Sequence, residues 1–231
     1  MAKLAVVTGS NGLIGQATCL RLAQSGWLVA GIDRGIEASG NWPHYACNLA
    51  DLDQMAATLG AIERDHGLIR GLFNNAGIYH AGSDYFDQTP EMFDQTMAIN
   101  VRVPFFATQW VAKRLIEAGE GGAIVTTASL AGQAGSTVID YGASKAAVIN
   151  LTRSLGKKLG PHGIRVNAVA PGLIQTAMGQ RVGAASRERM LTQAALGRIG
   201  QPAEIASVVD FLLSDAASFV TCATIDVNGG L

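Results

Sequence analysis

The chain has 231 residues, 48% hydrophobic and 15% charged, with a formal net charge of −1. That supplies a sizeable core, and near-neutral charge without a basic block gives no electrostatic footing for nucleic acid or a membrane surface. No apolar run is long enough to span a bilayer, and Cys19, Cys47 and Cys222 are too widely spaced for a disulfide framework or a zinc site, which suits a reducing cytoplasm.

The N-terminus reads as a first strand rather than a signal peptide, and Leu4-Ala-Val-Val is wholly apolar, as in a strand covered on both faces. Gly9-Ser-Asn11-Gly12-Leu13-Ile14-Gly15 follows, then a helical stretch from about 13 to 25. A second apolar strand begins at Trp27 and ends at Asp33. Strand, glycine-rich turn, helix, strand and acidic residue form the dinucleotide-binding pattern. Its glycines let the backbone approach a pyrophosphate, the helix start offers free N–H groups, and Asp33 accepts from ribose hydroxyls. Residues 34–44 carry loop breakers and leave little room for a helix before a short third strand at Tyr45-Ala-Cys47. Helical periodicity runs from about 51 to 65, and a fourth strand from Ile69 to Phe73 ends in Asn74-Asn75-Ala76-Gly77. Alternation of this kind implies a parallel sheet with helices on both faces, in one domain over 1–231.

A long apolar helix is expected from Pro90 to about Ala118, with Pro104 inside it. Proline cannot donate to the carbonyl four residues back, that of Asn100. This is either a simple kink or a freed carbonyl able to hold a water. Gly122 to Thr127 is the fifth strand and delivers Ser129. The helix from about 140 to 159 carries Tyr141 and Lys145, four apart and so on one face. A phenol titrates near about 10, and a nearby ammonium favours the phenolate, so the pair reads as a proton-transfer site. Greasy positions on more than one side of this helix suggest a partner subunit. A sixth strand from Gly163 ends at Ala170-Pro171-Gly172. Leu173-Ile174-Gln-Thr176 opens a glycine-punctuated excursion to about 200, a candidate lid. A helix over 202–213 and a strand over 223–227 complete the pattern. The histidines at 44, 66, 80 and 162 show no metal-ligand spacing, and no metal is expected.

In this order across essentially the whole chain, the glycine turn, Asn74-Asn75-Ala76-Gly77, Asn100, Ser129, Tyr141-x-x-x-Lys145 and Pro171-Gly172 with Thr176 resemble the compact short-chain dehydrogenase/reductase family. The resemblance implies a doubly wound α/β Rossmann fold with seven parallel strands in the order 3-2-1-4-5-6-7. It implies Tyr141 as general acid–base, Lys145 lowering its pKa and binding the nicotinamide ribose, Ser129 polarising the substrate oxygen, and the Asn100 carbonyl holding a relay water. It also implies cofactor contacts from Gly9, Asn11, Gly12, Leu13, Ile14, Asp33, Asn48, Leu49, Asn75, Ala76, Gly77, Tyr141, Lys145, Pro171, Gly172, Ile174 and Thr176. Substrate contacts are expected from Ser129, Gln133, Tyr141 and Met178, with Tyr79, His80 and Leu130 nearby.

Three departures stand out. The glycines are spaced Thr-Gly-x-x-Gly-x-x-Gly, as in the larger epimerase-type branch, with Leu13 at the usual middle glycine. Asn48 replaces a usual Asp, and the link between strands two and three is short. Asp33 would repel a 2′-phosphate and favours NAD, whereas Arg34 would attract one and keeps NADP open. The expected function is hydride exchange between NAD(H) and a secondary alcohol or ketone, a small-molecule substrate. The alternatives are an NADP-dependent 3-oxoacyl-type reductase, a non-catalytic dinucleotide-binding regulator, and a sugar-nucleotide epimerase, which would use a larger C-terminal substrate region. Arg181, Arg187, Arg189 and Arg198 either engage a substrate carboxylate or form a solvated face around Glu188. Compact relatives commonly form tetramers, so a homotetramer or dimer through helices 90–118 and 140–159 is expected.

Overall fold

Seven strands pair in one all-parallel sheet of order β3-β2-β1-β4-β5-β6-β7, the order expected. The computed structural model describes residues 2–35, 37, 40–80 and 84–231. The strands are β1 (Leu4–Thr8), β2 (Leu28–Asp33), β3 (His44–Ala46), β4 (Ile69–Asn74), β5 (Gly122–Thr127), β6 (Ile164–Pro171) and β7 (Thr224–Val227). The main helices are α1 (Leu13–Gln24), α2 (Leu52–His66), α3 (Pro90–Met97), α4 (Val103–Glu117), α5 (Ala131–Ala134), α6 (Ile139–Leu159), α7 (Ala177–Gln180), α8 (Ala184–Gln193) and α9 (Pro202–Leu213).

Successive strand residues point to opposite faces. Val6, Ile32, Leu72 and Ile124 pack on one side with Leu59 and Ile62 of α2 and Val111 and Leu115 of α4. Ala5, Val7, Phe73 and Val125 face the other way, against Leu22 of α1 and Ile205, Val209 and Leu212 of α9. Both faces are therefore covered, which is why the strands read as unbroken apolar runs. Each fully buried side chain of this kind contributes about 1.5–3 kcal/mol.

Local differences from expectation have physical causes. The third strand is His44–Ala46, one residue earlier than Tyr45–Cys47, because Gly31, Ile32 and Asp33 pair with these residues in register. No helix joins β2 to β3 among the described residues; Ile36, Ala38 and Ser39 of that loop lie outside them. The expected single helix over 90–118 is α3 and α4 joined by a π turn, Ala98–Arg102. There the Val103 N–H reaches the Ala98 carbonyl, five residues back. Pro104 has no N–H for the Asn100 carbonyl, and the widened turn precedes it directly. The sixth strand runs on through Pro171, whose partner on β7 is Val227.

The sheet reverses direction of winding between β1 and β4, and the crevice at the carboxyl ends of strands beside such a switch is where ligands bind. Thr8, Asp33, Asn74, Thr127 and Pro171 end their strands at this edge.

Candidate active site

The β1–β4 junction is built by side chains that bridge two strand ends. Thr8 Oγ1 accepts from the N–H groups of Asn75 (3.0 Å) and Ala76 (3.1 Å). Asn75 Nδ2 donates to the carbonyls of Thr8 and Gly9, both at 3.2 Å. Gly9 needs φ +67°, and a Cβ there would lie 2.9 Å from Ala76 Cα, so both its conformation and its neighbour demand glycine. At the end of β2, Asp33 accepts from the Asn11 N–H (3.0 Å) and the Arg34 N–H (2.7 Å), which pins the glycine turn to the acidic residue. α1 begins at Gly12 with no side-chain cap and no acidic residue in its first turn. Its leading N–H groups are free for an anion.

Behind the crevice, Asn100 is 1% exposed and is satisfied by structure. Its Nδ2 donates to the Ile78 carbonyl (2.9 Å) and Ser144 Oγ (3.0 Å), and its Oδ1 accepts from the Ile78 N–H (2.9 Å). It thus ties the chain after β4 to α6, the helix of Tyr141 and Lys145. Gly132 of α5 packs so tightly on α6 that a Cβ would lie 2.5 Å from the Lys145 carbonyl carbon.

Lys145 is 3% exposed, and its Nζ donates to the Thr127 carbonyl at 2.6 Å. Burial pushes its ammonium down to about 8. Burial pushes the Tyr141 phenol up, the hydrogen bond with Ser129 opposes this, and the Tyr79 phenol adds to the rise. Burial, Ser129 and Tyr79 set the Tyr141 phenol here, and Lys145 is not among the causes. The ammonium sits 5.6 Å from the Tyr141 ring centroid and is committed to Thr127, not to the phenol oxygen. The Tyr79 and Tyr141 rings meet edge to face with centroids 5.8 Å apart, and the Tyr79 hydroxyl donates to the Arg181 carbonyl at 3.1 Å.

One cavity of about 1500 Å³ runs along this edge, larger than the about 300–1,000 Å³ of a site for one drug-sized ligand. Every residue expected to touch the cofactor lines it, from Gly9, Asn11, Gly12, Leu13 and Ile14 through Asp33, Asn48 and Leu49 to Ile174 and Thr176. Ser129, Tyr141, Lys145 and Met178 line it too, as do Tyr79 and Leu130. Gln133 does not: the short α5 turns it outward, and its Nε2 donates to Asp226 of β7 at 2.7 Å. Gln133 is thus held on Asp226 and off the cavity lining, against the expected substrate contact. Neither His80 nor Asn100 is among the lining residues. Arg34, Arg181 and Arg189, weighed above, line it as well, and unforeseen lining residues include Thr127, Val138 and the α8 residues Ser186, Met190 and Gln193. A cavity-facing spacing of three and four along 186–193 was the available signal for the last group.

The free N–H groups of α1, the glycine approach and the terminal Asp33 fit a nicotinamide dinucleotide. A family model described as enoyl-(acyl carrier protein) reductase matches residues 10–231. The chain is 36% identical to a 3-oxoacyl-(acyl-carrier-protein) reductase of Thermotoga maritima, covering 99% of this chain and 97% of the relative. The chain belongs to the short-chain dehydrogenase/reductase family. As a short-chain dehydrogenase/reductase it is an oxidoreductase that transfers hydride at a CH–OH or carbonyl carbon with a nicotinamide dinucleotide. It is 38% identical to a 2,5-dichloro-2,5-cyclohexadiene-1,4-diol dehydrogenase of Sphingobium indicum, covering 99% and 96% of the two chains. Among solved structures, an NAD+-bound xylitol dehydrogenase is similar with a TM-score of 0.91 and 34% identity, covering 99% of this chain and 98% of that one.

Proposed function

We propose that this dehydrogenase/reductase is NAD-linked and interconverts a secondary alcohol and a ketone, with Tyr141 as the proton-transfer group. The observation that carries this reading is the single cavity with Asp33 at one end and Ser129, Tyr141 and Lys145 at the other. When bound, the nicotinamide supplies or accepts the hydride. Tyr141 passes the proton to or from the substrate oxygen, and Ser129, hydrogen-bonded to it, orients that oxygen. Lys145, buried beside the ring, holds positive charge near the developing alkoxide and is placed to meet ribose hydroxyls. Asn100 holds the site's back wall through Ile78 and Ser144. Its main-chain carbonyl, deprived of an N–H by Pro104, is the acceptor we assign to a relay water behind Lys145. The segment 176–200 is the proposed lid.

Asp33 supports NAD because its carboxylate would face a 2′-phosphate. Arg34 also lines the cavity, and together with the name of the Thermotoga relative it supports a second reading, NADP-linked 3-oxoacyl reduction. Ala143 and Ala146 lie exposed on α6, with Ala147 and Leu151 half-buried. That stripe supports assembly of two or four copies through α4 and α6. No helix among the described residues is long and apolar enough to cross a membrane, and the three free cysteines accord with a cytoplasmic setting.

The test is a panel of secondary alcohols and ketones assayed in parallel with NAD and NADP, alongside sedimentation to read the assembly. Turnover at least tenfold more efficient with NAD is expected. Preference for NADP would move the assignment to the second reading, and binding of NAD without any turnover would favour a regulator.

A further inference from the structure

The proposed lid is unusually cationic for a chain of net charge −1: residues 176–200 hold Arg181, Arg187, Arg189 and Arg198 against Glu188 alone. The four arginines are not equivalent. Arg198 is clamped by both oxygens of Glu204, at 2.9 and 2.6 Å, so its charge is answered. Arg187 is not among the cavity-lining residues. Arg181 and Arg189 line the cavity, and among the described residues neither has a carboxylate partner, unlike Arg21, Arg70 and Arg114.

Their place in the cavity follows from two contacts. The Tyr79 ring packs on Tyr141, and its hydroxyl holds the Arg181 carbonyl. The Arg181 guanidinium also opposes the rise that burial imposes on the Tyr79 phenol. Arg181 therefore stands one aromatic side chain beyond the catalytic phenol, not at the glycine turn. Arg189 belongs to a face of α8, with Ser186, Met190 and Gln193, that repeats at three- and four-residue spacing and lines the same cavity. Of the two acids in this lining, Asp33 is held at the glycine turn and Asp84 accepts from the Phe86 N–H at 3.1 Å. Leu130, Val138 and Met178 supply apolar wall.

We propose that the substrate is a hydroxy or oxo acid whose carboxylate is bound by Arg181 and Arg189 while its reacting carbon lies against Tyr141 and Ser129. The proposal rests on the dehydrogenase reading for the position of the reacting carbon. Guanidinium forks match a carboxylate in two parallel hydrogen bonds, and the apolar wall takes the carbon body.

Calorimetric titration of the full chain with saturating NADH tests the site without requiring turnover. The probes are cyclohexanecarboxylate and its neutral match, cyclohexanecarboxamide. The carboxylate should bind at least tenfold more tightly, with a gap that narrows as salt is raised. The Arg181→Gln/Arg189→Gln double variant should lose that gap and keep its NADH affinity within about twofold. Both side chains are exposed, so folding is not at stake. Equal binding of the two probes, or no binding of either, would overturn the proposal. So would a variant that loses NADH affinity while its carboxylate preference stands, because the guanidiniums would then serve the cofactor's phosphates. A second arm offers 3-hydroxycyclohexanecarboxylate with NAD. Charge-selective binding without its oxidation would count against the dehydrogenase reading and leave the anion site standing.

Discussion

Lys145 reaches from α6 to the end of β5, where its Nζ donates to the Thr127 carbonyl at 2.6 Å. This one bond holds a charged group in a nearly closed space, and burial moves the ammonium from 10.5 to about 8. The folded pKa is depressed, so between about 8 and 10.5 the unfolded chain binds more protons. Stability therefore rises with pH through that window, and the full cost of the buried charge is present below it. The displacement corresponds to about 3 kcal/mol. Urea unfolding of the wild type and Lys145→Met at stepped pH should show the wild type gaining about that much on the variant between pH 8 and 10.5. A constant difference across the window would mean that Thr127 keeps the ammonium at its ordinary value.

The same burial keeps Tyr141 protonated at neutral pH, because its phenol is raised above the ordinary value. A neutral phenol is ready to donate to a ketone, whereas alcohol oxidation needs the phenolate. The logarithm of kcat/KM for oxidation should then climb with slope near one from pH 7 to 9, while reduction stays level over the same range. Tyr141→Phe should cost about 10²–10⁴ in kcat in both directions and leave dinucleotide affinity within a few-fold. An oxidation profile already flat at pH 7 would show that the phenol is lowered in the working complex.

The unusual glycine spacing separates two roles. A methyl group at Gly15 would collide with the Gly9 carbonyl oxygen and lie 2.8 Å from Ser10 Cα, both backbone atoms of the glycine turn. Gly12 has extended backbone, φ −73° and ψ 154°, and a Cβ there would lie 3.4 Å from the Gly9 oxygen. Gly15→Ala should lose about 2–3 kcal/mol, overpacking outweighing alanine's better helix propensity. Gly12→Ala should lose under about 1 kcal/mol. Chemical denaturation of the two variants measures the difference, and equal losses would contradict it.

What was legible from sequence followed period and punctuation. Leu4–Thr8 and Gly122–Thr127 are covered on both faces and read as strands at once, and the residues that end them point to one edge. The cofactor set converged on one cavity because the glycine turn, Asp33 and Asn75 are anchored to strand ends whose order the family motifs carry. The failures involve contacts with no trace in the chain order. The acceptor of Lys145 is a main-chain carbonyl eighteen residues back, which any residue type supplies. The Asn100 side chain does the visible tethering, and that depends on how close Ile78 and Ser144 come in space. Gln133 sits on a four-residue helix that turns it to Asp226, a contact no local pattern announces. The lid arginines look alike in sequence and are sorted only in space, Arg198 by its carboxylate and Arg187 by lying off the cavity lining.

Tyr79 offers a test that a purely structural role would fail. Its ring packs on Tyr141, its hydroxyl holds the Arg181 carbonyl, and its phenol is one of the causes that hold Tyr141 high. Tyr79→Phe keeps the ring and removes the hydroxyl. Losing one hydrogen bond worth about 1 kcal/mol should loosen the 176–200 segment and raise KM about three- to fivefold, with kcat within twofold. The rising limb of the oxidation profile between pH 7 and 9 should stay in place, because the Tyr79 phenol is itself raised by burial and carries no charge there. Tyr79→Leu removes the ring as well, and with it an edge contact worth about 0.5–1.5 kcal/mol, so kcat should now fall by about tenfold as the catalytic ring loses its orientation. Steady-state kinetics across pH for both variants separates the two effects. A Tyr79→Phe enzyme with wild-type KM would show that the hydroxyl does not hold the segment closed.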